Sequence, residues 1–294
     1  MENYCKILIV EDEMIIAANL AMQLKNIGYQ TSFFYGGDLN FSNFKSYLMS
    51  HSFDKVTDIH NISTDEELSK WGVADDVTFN EFLKDLNTEK QPFFSTMLTL
   101  SNHEPFYLKG EYKFGKSNVN NMFRSTSYFT DQMLAKFVNE AKQEDWYKNT
   151  LFIVVADHGH RLPTAQREIY EPGRYHIPLL FFGGALKESY QNKKMEKVGN
   201  QIDIASILLN QLNISDTAYQ YSKNILSPQV KGFGFYAWDN GFGFINNNKE
   251  TVSFDPIGNT VIYKDKINNT KQEKELEANA KALMQTIYED YLNY

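Results

Sequence analysis

Apolar and polar residues alternate along the first two thirds of the chain in two repeating rhythms. "KILIV" (6–10) is a short apolar run that predicts a strand. A helix is expected from about Glu13 to Asn26, with apolar positions at Ile15, Ile16, Leu20 and Leu24. "GYQTSFFYGG" (28–37) predicts a turn, a strand and a glycine loop. Residues 40–51 predict an aromatic-bearing helix, and "TDEELSKWG" (64–72) a polar connection. Residues 76–87 place Val77, Phe79, Phe82, Leu83 and Leu86 on one helical face. "PFFSTMLTLSNHEPF" (92–106) predicts a second buried strand that ends in polar residues. Residues 119–142 predict a long helix with Met122, Phe123, Phe129, Met133, Leu134 and Phe137 inward. "TLFIVVADHGH" and "HIPLLFFGG" (176–184) follow as strands, and residues 200–214 as a helix.

Strand and helix alternate from residue 6 to 214, so an α/β fold with a doubly wound, mostly parallel sheet is expected. The pattern then changes. "GFGFYAWDNGFGFINNNKETVSFDPIGNTVIYKDK" alternates aromatic and polar residues between turn sequences, which predicts a small C-terminal antiparallel sheet. Residues 271–293 predict a terminal amphipathic helix carrying Leu276, Ala280, Leu283, Ile287 and Leu292. A boundary is expected near residue 216.

Composition narrows the function classes. A hydrophobic content of 42% and an aromatic content of 15% over 294 residues are globular values. A net charge of −8 argues against a nucleic-acid partner. The single cysteine, Cys5, rules out an internal disulfide. No apolar run approaches the roughly 18 residues of a membrane span, and "MENYCKILIVEDE" lacks the pattern of a signal peptide. The expected location is cytoplasmic or unassigned.

The chemistry gathers at strand ends. "FIVVADHGHRLP" (152–163) follows an apolar run with Asp157, His158, His160 and Arg161. Ligands collect at the carboxyl ends of strands in open α/β sheets. Adjacent Asp and His suit a divalent metal, and Gly159 is expected to supply backbone freedom. A solvated loop with a stray histidine pair is the plainer alternative. Asn102 and His103 follow the second buried strand, while Arg174 and His176 precede the next.

Taken in order, "TLSNHEPF", "YFTDQMLAKFVNEAKQEDWYKNTLFIVVADHGH", "YHIPLLFFGG" and "QIDIASILLNQL" resemble the sulfatase branch of the alkaline phosphatase superfamily. Within it, residues 27–265 resemble the lipoteichoic acid synthase-like phosphoglycerol transferases. The resemblance implies an alkaline phosphatase/sulfatase-like fold and one divalent metal ion, Mn²⁺, Zn²⁺ or Mg²⁺, on Asp157 and His158. It implies that His103 contacts the substrate phosphate or protonates the leaving oxygen. Asn43 and Lys45 in "FSNFK" match the phosphoglycerol pocket imperfectly. His160, Arg161, Arg174 and His176 are candidates for an anionic headgroup, with Arg174 and His176 equally readable as strand caps or surface. The implied substrate is an anionic phosphoglycerol lipid, a phosphodiester or a sulfate ester. Members of the family act at the extracytoplasmic face of the membrane, in the cell envelope.

The amino end resembles something else. Residues 5–27 look like the opening of a response-regulator receiver domain, with Glu11 and Asp12 matching its magnesium-binding pair. Asp58 offers only a superficial phosphoacceptor. Glu11 equally matches the metal-binding glutamate that ends the first strand of the sulfatase-like family. The family's nucleophilic threonine or serine follows that strand, yet residues 1–30 contain no Ser or Thr. The expected organisation is a receiver-like strand and helix (1–27) in place of the family's front segment, a sulfatase-like α/β domain (28–215), and a C-terminal sheet plus helix (216–294). Three functions follow: an ester hydrolase or phosphoglycerol transferase of low activity, a non-catalytic metal or anion binder, and a receiver-type signalling module.

Overall fold

A computed structural model describes residues 6–10, 14–40, 43–51, 53–65, 69–163 and 167–293. The chain divides into two units. The first comprises 1–157, 162–165 and 177–193, and the second 158–161, 166–176 and 194–294.

The first unit is built on a six-stranded sheet in the order β3-β2-β4-β1-β5-β6. Its strands are β1 (Lys6–Val10), β2 (Gln30–Tyr35), β3 (Lys55–Thr57), β4 (Phe93–Leu98), β5 (Thr150–Val155) and β6 (Leu179–Phe182). The first five are mutually parallel, and β6 runs antiparallel to β5. β1 lies at the middle, with Val10 level with Met97 and Val154. Every residue of β4 is buried, as expected of a strand covered on both faces.

The helices of this unit are α1 (Met14–Lys25), α2 (Phe44–Ser50), α3 (Asp75–Leu86) and α4 (Val119–Ala141). α1 buries Ala17, Leu20, Ala21 and Leu24 and lies against β2 and β4. α3 and α4 pack together over a core of Phe34, Phe79, Phe82, Phe93, Met97, Phe137, Trp146 and Phe152. Fully burying one such phenylalanine contributes about 1.5–3 kcal/mol. On α4 the buried set includes Ser125 and Thr126, which the apolar pattern passed over.

The second unit holds an antiparallel sheet ordered β10-β9-β8-β7. It is formed by β7 (Phe233–Trp238), β8 (Gly241–Asn246), β9 (Thr251–Asp255) and β10 (Thr260–Asp265). α6 (Thr270–Asn293) lays Leu276 and Ala280 against Phe242, Phe244, Val252 and Phe254. α5 (Asp203–Gln211) buries Ile204 through Leu209, and Asp203 ties its start to Lys223 Nζ at 2.7 Å. The architecture is therefore a doubly wound, mostly parallel α/β sheet with a small C-terminal antiparallel sheet and a terminal helix.

Candidate functional site at the carboxyl edge of the parallel sheet

Because β1 to β5 are parallel, their carboxyl ends share one edge of the first unit. Along it, β2 delivers Gly36, Gly37 and Asp38, β3 delivers Asp58, β4 delivers Asn102 and His103, and β5 delivers Asp157. Glu11 follows β1 in sequence and lies outside the described residues.

The exit of β4 is clamped from below. Asp75, the first residue of α3, is fully buried. Its carboxylate accepts from the backbone N–H of Leu100 at 2.8 Å and of Ser101 at 3.1 Å, and from Thr130 Oγ1 of α4 at 2.6 Å. The Asp75 N–H donates in turn to Ser101 Oγ at 2.9 Å. Burial pushes the Asp75 carboxyl above its ordinary range, and those hydrogen bonds oppose the shift without cancelling it. One residue on, Asn102 Oδ1 accepts from Thr126 Oγ1 at 2.7 Å and Ser127 Oγ at 3.1 Å. The hydroxyls of Thr126, Ser127 and Thr130 on α4 thus hold the segment that presents His103.

His103 itself is exposed. Its Nδ1 stands 3.0 Å from the Glu104 carbonyl oxygen. A carbonyl only accepts, so Nδ1 carries the proton and Nε2 bears the lone pair of the neutral ring.

His158 repeats the arrangement, with Nδ1 2.8 Å from the Gly159 carbonyl. A backbone carbonyl on one imidazole nitrogen is the usual way a metal-binding histidine is oriented through the other. Gly159 does not serve the backbone freedom expected of it, since it is outside the left-handed region. It serves space: a Cβ there would stand 1.9 Å from the Arg174 carbonyl oxygen. That approach brings the Pro172–Arg174 turn against the His158–Arg161 stretch within the second unit. The His158 and His160 rings are 6.5 Å apart. Arg174 is half-buried, with Nη1 3.4 Å from the Arg167 carbonyl, while Arg161 and His176 are exposed.

The exits of β2 and β3 form a different cluster. Asp58 is fully buried and caps the single 3-10 turn Ile59–Asn61, Oδ1 accepting the His60 N–H at 3.1 Å. Its Oδ2 accepts from Lys45 Nζ at 3.2 Å. Asp38 Oδ1 stands 3.3 Å from His60 Nε2. The Asn40 backbone amide, first of several donors, holds the Asp38 carboxyl below its ordinary range. Among the described residues, Asp38, Asp58 and His60 bring three possible ligand atoms within 4.8 Å of one another. Both Asp58 oxygens are already engaged, one by an ammonium, so this group reads as a capped, charge-paired turn. Asp58 is also poorly suited to accept a phosphoryl group. Asn43 is exposed with φ of 58° and makes no side-chain cap bond to α2. The two Ser or Thr hydroxyls nearest the amino end, Thr31 and Ser32, are buried in β2 and bonded to Asp54 and Ser95.

Sequence reading missed Asp75 and Trp71. Trp71 lies in the stretch expected to be a polar connection, yet its Nε1–H donates to the Glu104 carbonyl at 2.6 Å. The available signal was an aromatic beside a glycine and a double acid, "WGVADD", at a helix start.

Comparison with known proteins gives consistent relatives. The sulfatase family model matches residues 2–214, a span that includes the receiver-like stretch 5–27. The chain is 28% identical to lipoteichoic acid synthase 2 of Bacillus subtilis over 226 residues, 70% of this chain and 34% of the relative. It is 24% identical to phosphoglycerol transferase I of Xanthomonas euvesicatoria, over 69% of this chain and 30% of the relative. It therefore spans about a third of the length of these curated relatives. In structure it is similar to a Vibrio parahaemolyticus protein of the alkaline phosphatase superfamily, with a TM-score of 0.77 at 22% identity, covering 98% of this chain and 79% of the other. It is also similar to the lipoteichoic acid synthase LtaP of Listeria monocytogenes, with a TM-score of 0.71 at 16% identity, covering 99% and 83%. With the family model spanning most of the chain and these structures sharing its fold, the chain belongs to the sulfatase family.

Proposed function

We propose that the chain carries a metal-dependent phosphate or sulfate ester site of the phosphoglycerol-transferase type. Asp157 and His158 hold one divalent ion, with Glu11 as a third ligand, and His103 acts on the substrate. The observation that supports this most is the shared geometry of His103 and His158, each held through Nδ1 by the next residue's carbonyl at the carboxyl edge of the parallel sheet. A strand-end carboxylate followed by such an imidazole is a mixed oxygen and nitrogen donor set, which fits Mn²⁺ or Zn²⁺ better than Mg²⁺. When bound, the ion neutralises charge on the ester's non-bridging oxygens as a Lewis acid. His103 takes or returns a proton at Nε2 while Nδ1 stays on the Glu104 carbonyl, so the ring need not turn over. By the family resemblance, His160, Arg161, Arg174 and His176 are assigned to an anionic headgroup, and Asn43 and Lys45 to the phosphoglycerol pocket. Lys45 is committed to Asp58, so its contribution is mainly its charge. The names of the relatives favour a phosphoglycerol substrate, which would place the activity in the cell envelope. Among the described residues, no helix is long and apolar enough to cross a membrane.

Residues 1–30 contain no Ser or Thr, and this favours slow turnover or, as a second reading, metal and anion binding without turnover. Loss of a nucleophile from a covalent mechanism typically costs about 10³ to 10⁶ in rate. The test is hydrolysis of a chromogenic phosphodiester with and without Mn²⁺, on the wild type, Asp157→Ala and His103→Asn. Slow, metal-dependent hydrolysis lost in both variants supports the enzyme reading. Metal binding with no turnover supports the second, and brisk turnover through a covalent Ser or Thr adduct, seen by mass spectrometry, contradicts the expected loss.

A further inference from the structure

We propose that Trp71 is a positioning residue for His103, and that it fixes the imidazole as the Nδ1–H tautomer. This rests on the reading that His103 works at the ester site. The Glu104 carbonyl oxygen receives two donors, the Trp71 indole N–H at 2.6 Å and His103 Nδ1 at 3.0 Å. A carbonyl oxygen has two lone pairs, so both bonds form together without competition. The indole also packs its ring at 62° to the imidazole, with centroids 4.6 Å apart. One side chain therefore fixes the acceptor that holds Nδ1 and the plane in which the ring lies.

The backbone around Trp71 is built to deliver it there. Gly72 has φ of +149° and bridges Gly37 just beyond β2, and a Cβ on Gly72 would stand 2.1 Å from the Gly36 carbonyl oxygen. The Val73 N–H donates to that same Gly36 carbonyl at 3.0 Å. Ser69 Oγ accepts from the N–H groups of Trp71 and Gly72, each at 3.2 Å, and donates to the Gly72 carbonyl at 2.9 Å. A large aromatic so heavily anchored, on a segment with little secondary structure, needs a partner to justify the ordering cost. That partner is an exposed histidine, which without it would sample several rotamers.

The chemical consequence is specific. With Nδ1 held as a donor in both the neutral and the protonated ring, Nε2 is the atom that exchanges protons, and the ring keeps one orientation throughout. An exposed histidine lacking this restraint drifts toward the Nε2–H form that imidazoles favour in water, which has no lone pair at that atom.

The test is the tautomer itself, read from the long-range ¹H–¹⁵N spectrum of ¹⁵N-histidine protein at a pH where imidazoles are neutral. His103 is assigned through His103→Asn. The wild type is expected to show His103 predominantly as Nδ1–H. Trp71→Phe keeps an aromatic neighbour and removes the indole donor, and the Nδ1–H share should fall. Trp71→Ala removes both and should shift the balance to Nε2–H. The signals of the other histidines report whether each variant is folded, and if the alanine variant is not, wild type and Trp71→Phe decide. A wild-type His103 in the Nε2–H form, or folded variants with the wild-type tautomer, would overturn the proposal. If the tautomer follows Trp71 but His103→Asn leaves metal-dependent hydrolysis intact, the positioning holds and the functional reading of His103 fails instead.

Discussion

Two stretches of the same sheet edge use nearly the same residue types to different ends. At the exits of β2 and β3, a fully buried aspartate, Asp58, caps a turn, and its remaining oxygen is matched by Lys45. The nearby His60 is matched by Asp38. At the exit of β4, another fully buried aspartate, Asp75, is matched by backbone and hydroxyl donors rather than by a cation. The histidine it supports, His103, is turned by a carbonyl and a tryptophan so that one nitrogen is committed and the other is available for chemistry. The difference teaches that an acid and a histidine at a strand end do not make a site. What separates the two stretches is whether the charges already satisfy each other.

The largest expected effect breaks the β4 side. Asp75→Ala leaves the Leu100 and Ser101 amides and Thr130 without their acceptor, and unfolding in urea should show a loss of about 3–5 kcal/mol. Asp75→Asn is milder and tests the sign of the pH effect. The Asp75 carboxyl is raised by burial, so its contribution is fully present below its ordinary value near 3.8 and is lost as pH rises through the raised one. Wild-type stability should therefore fall relative to Asp75→Asn as pH climbs from about 4. A constant difference between the two across that range would contradict the assignment.

Next in size is metal-linked stability. Mn²⁺ at about 100 times its dissociation constant should stabilise the wild type by roughly 2.7 kcal/mol, and Asp157→Ala should abolish the shift in a thermal melt. An equal shift in both would move the ion away from β5. Gly159→Ala follows, since its Cβ meets the Arg174 carbonyl, and a cost of about 1–3 kcal/mol is expected from the same melt. The smallest effect is on the β2 side. Lys45→Ala leaves Asp58 Oδ2 unmatched, but the lysine is 40% exposed and water can partly replace it, so about 1 kcal/mol is expected by urea unfolding.

The sequence made the apolar strands legible because parallel strands covered on both faces read as continuous runs, as in "FFSTML" and "LFIVV". The polar exits after them were legible for the same reason, which is how Asp157, His158 and His103 came into view. Four features were not. Trp71 sits among charged residues with no periodicity, so its role depends on a carbonyl more than thirty residues away. The acid pair Asp75–Asp76 reads as an ordinary helix start, and only the fold brings Leu100 and Ser101 to it. Lys45 matched a substrate pocket by local spacing, while its partner Asp58 arrives from the next strand. β3, at three residues, is too short for any pattern to announce it.

If the charge-paired exits of β2 and β3 are no metal site, a divalent ion binds instead at the exit of β5. Anomalous diffraction at the manganese edge, from crystals of the intact chain equilibrated with Mn²⁺, tests this directly. The account predicts one strong peak bonded to an Asp157 carboxylate oxygen and His158 Nε2, at about 2.0–2.2 Å. A peak on Asp38, Asp58 and His60 with none at Asp157 would contradict it.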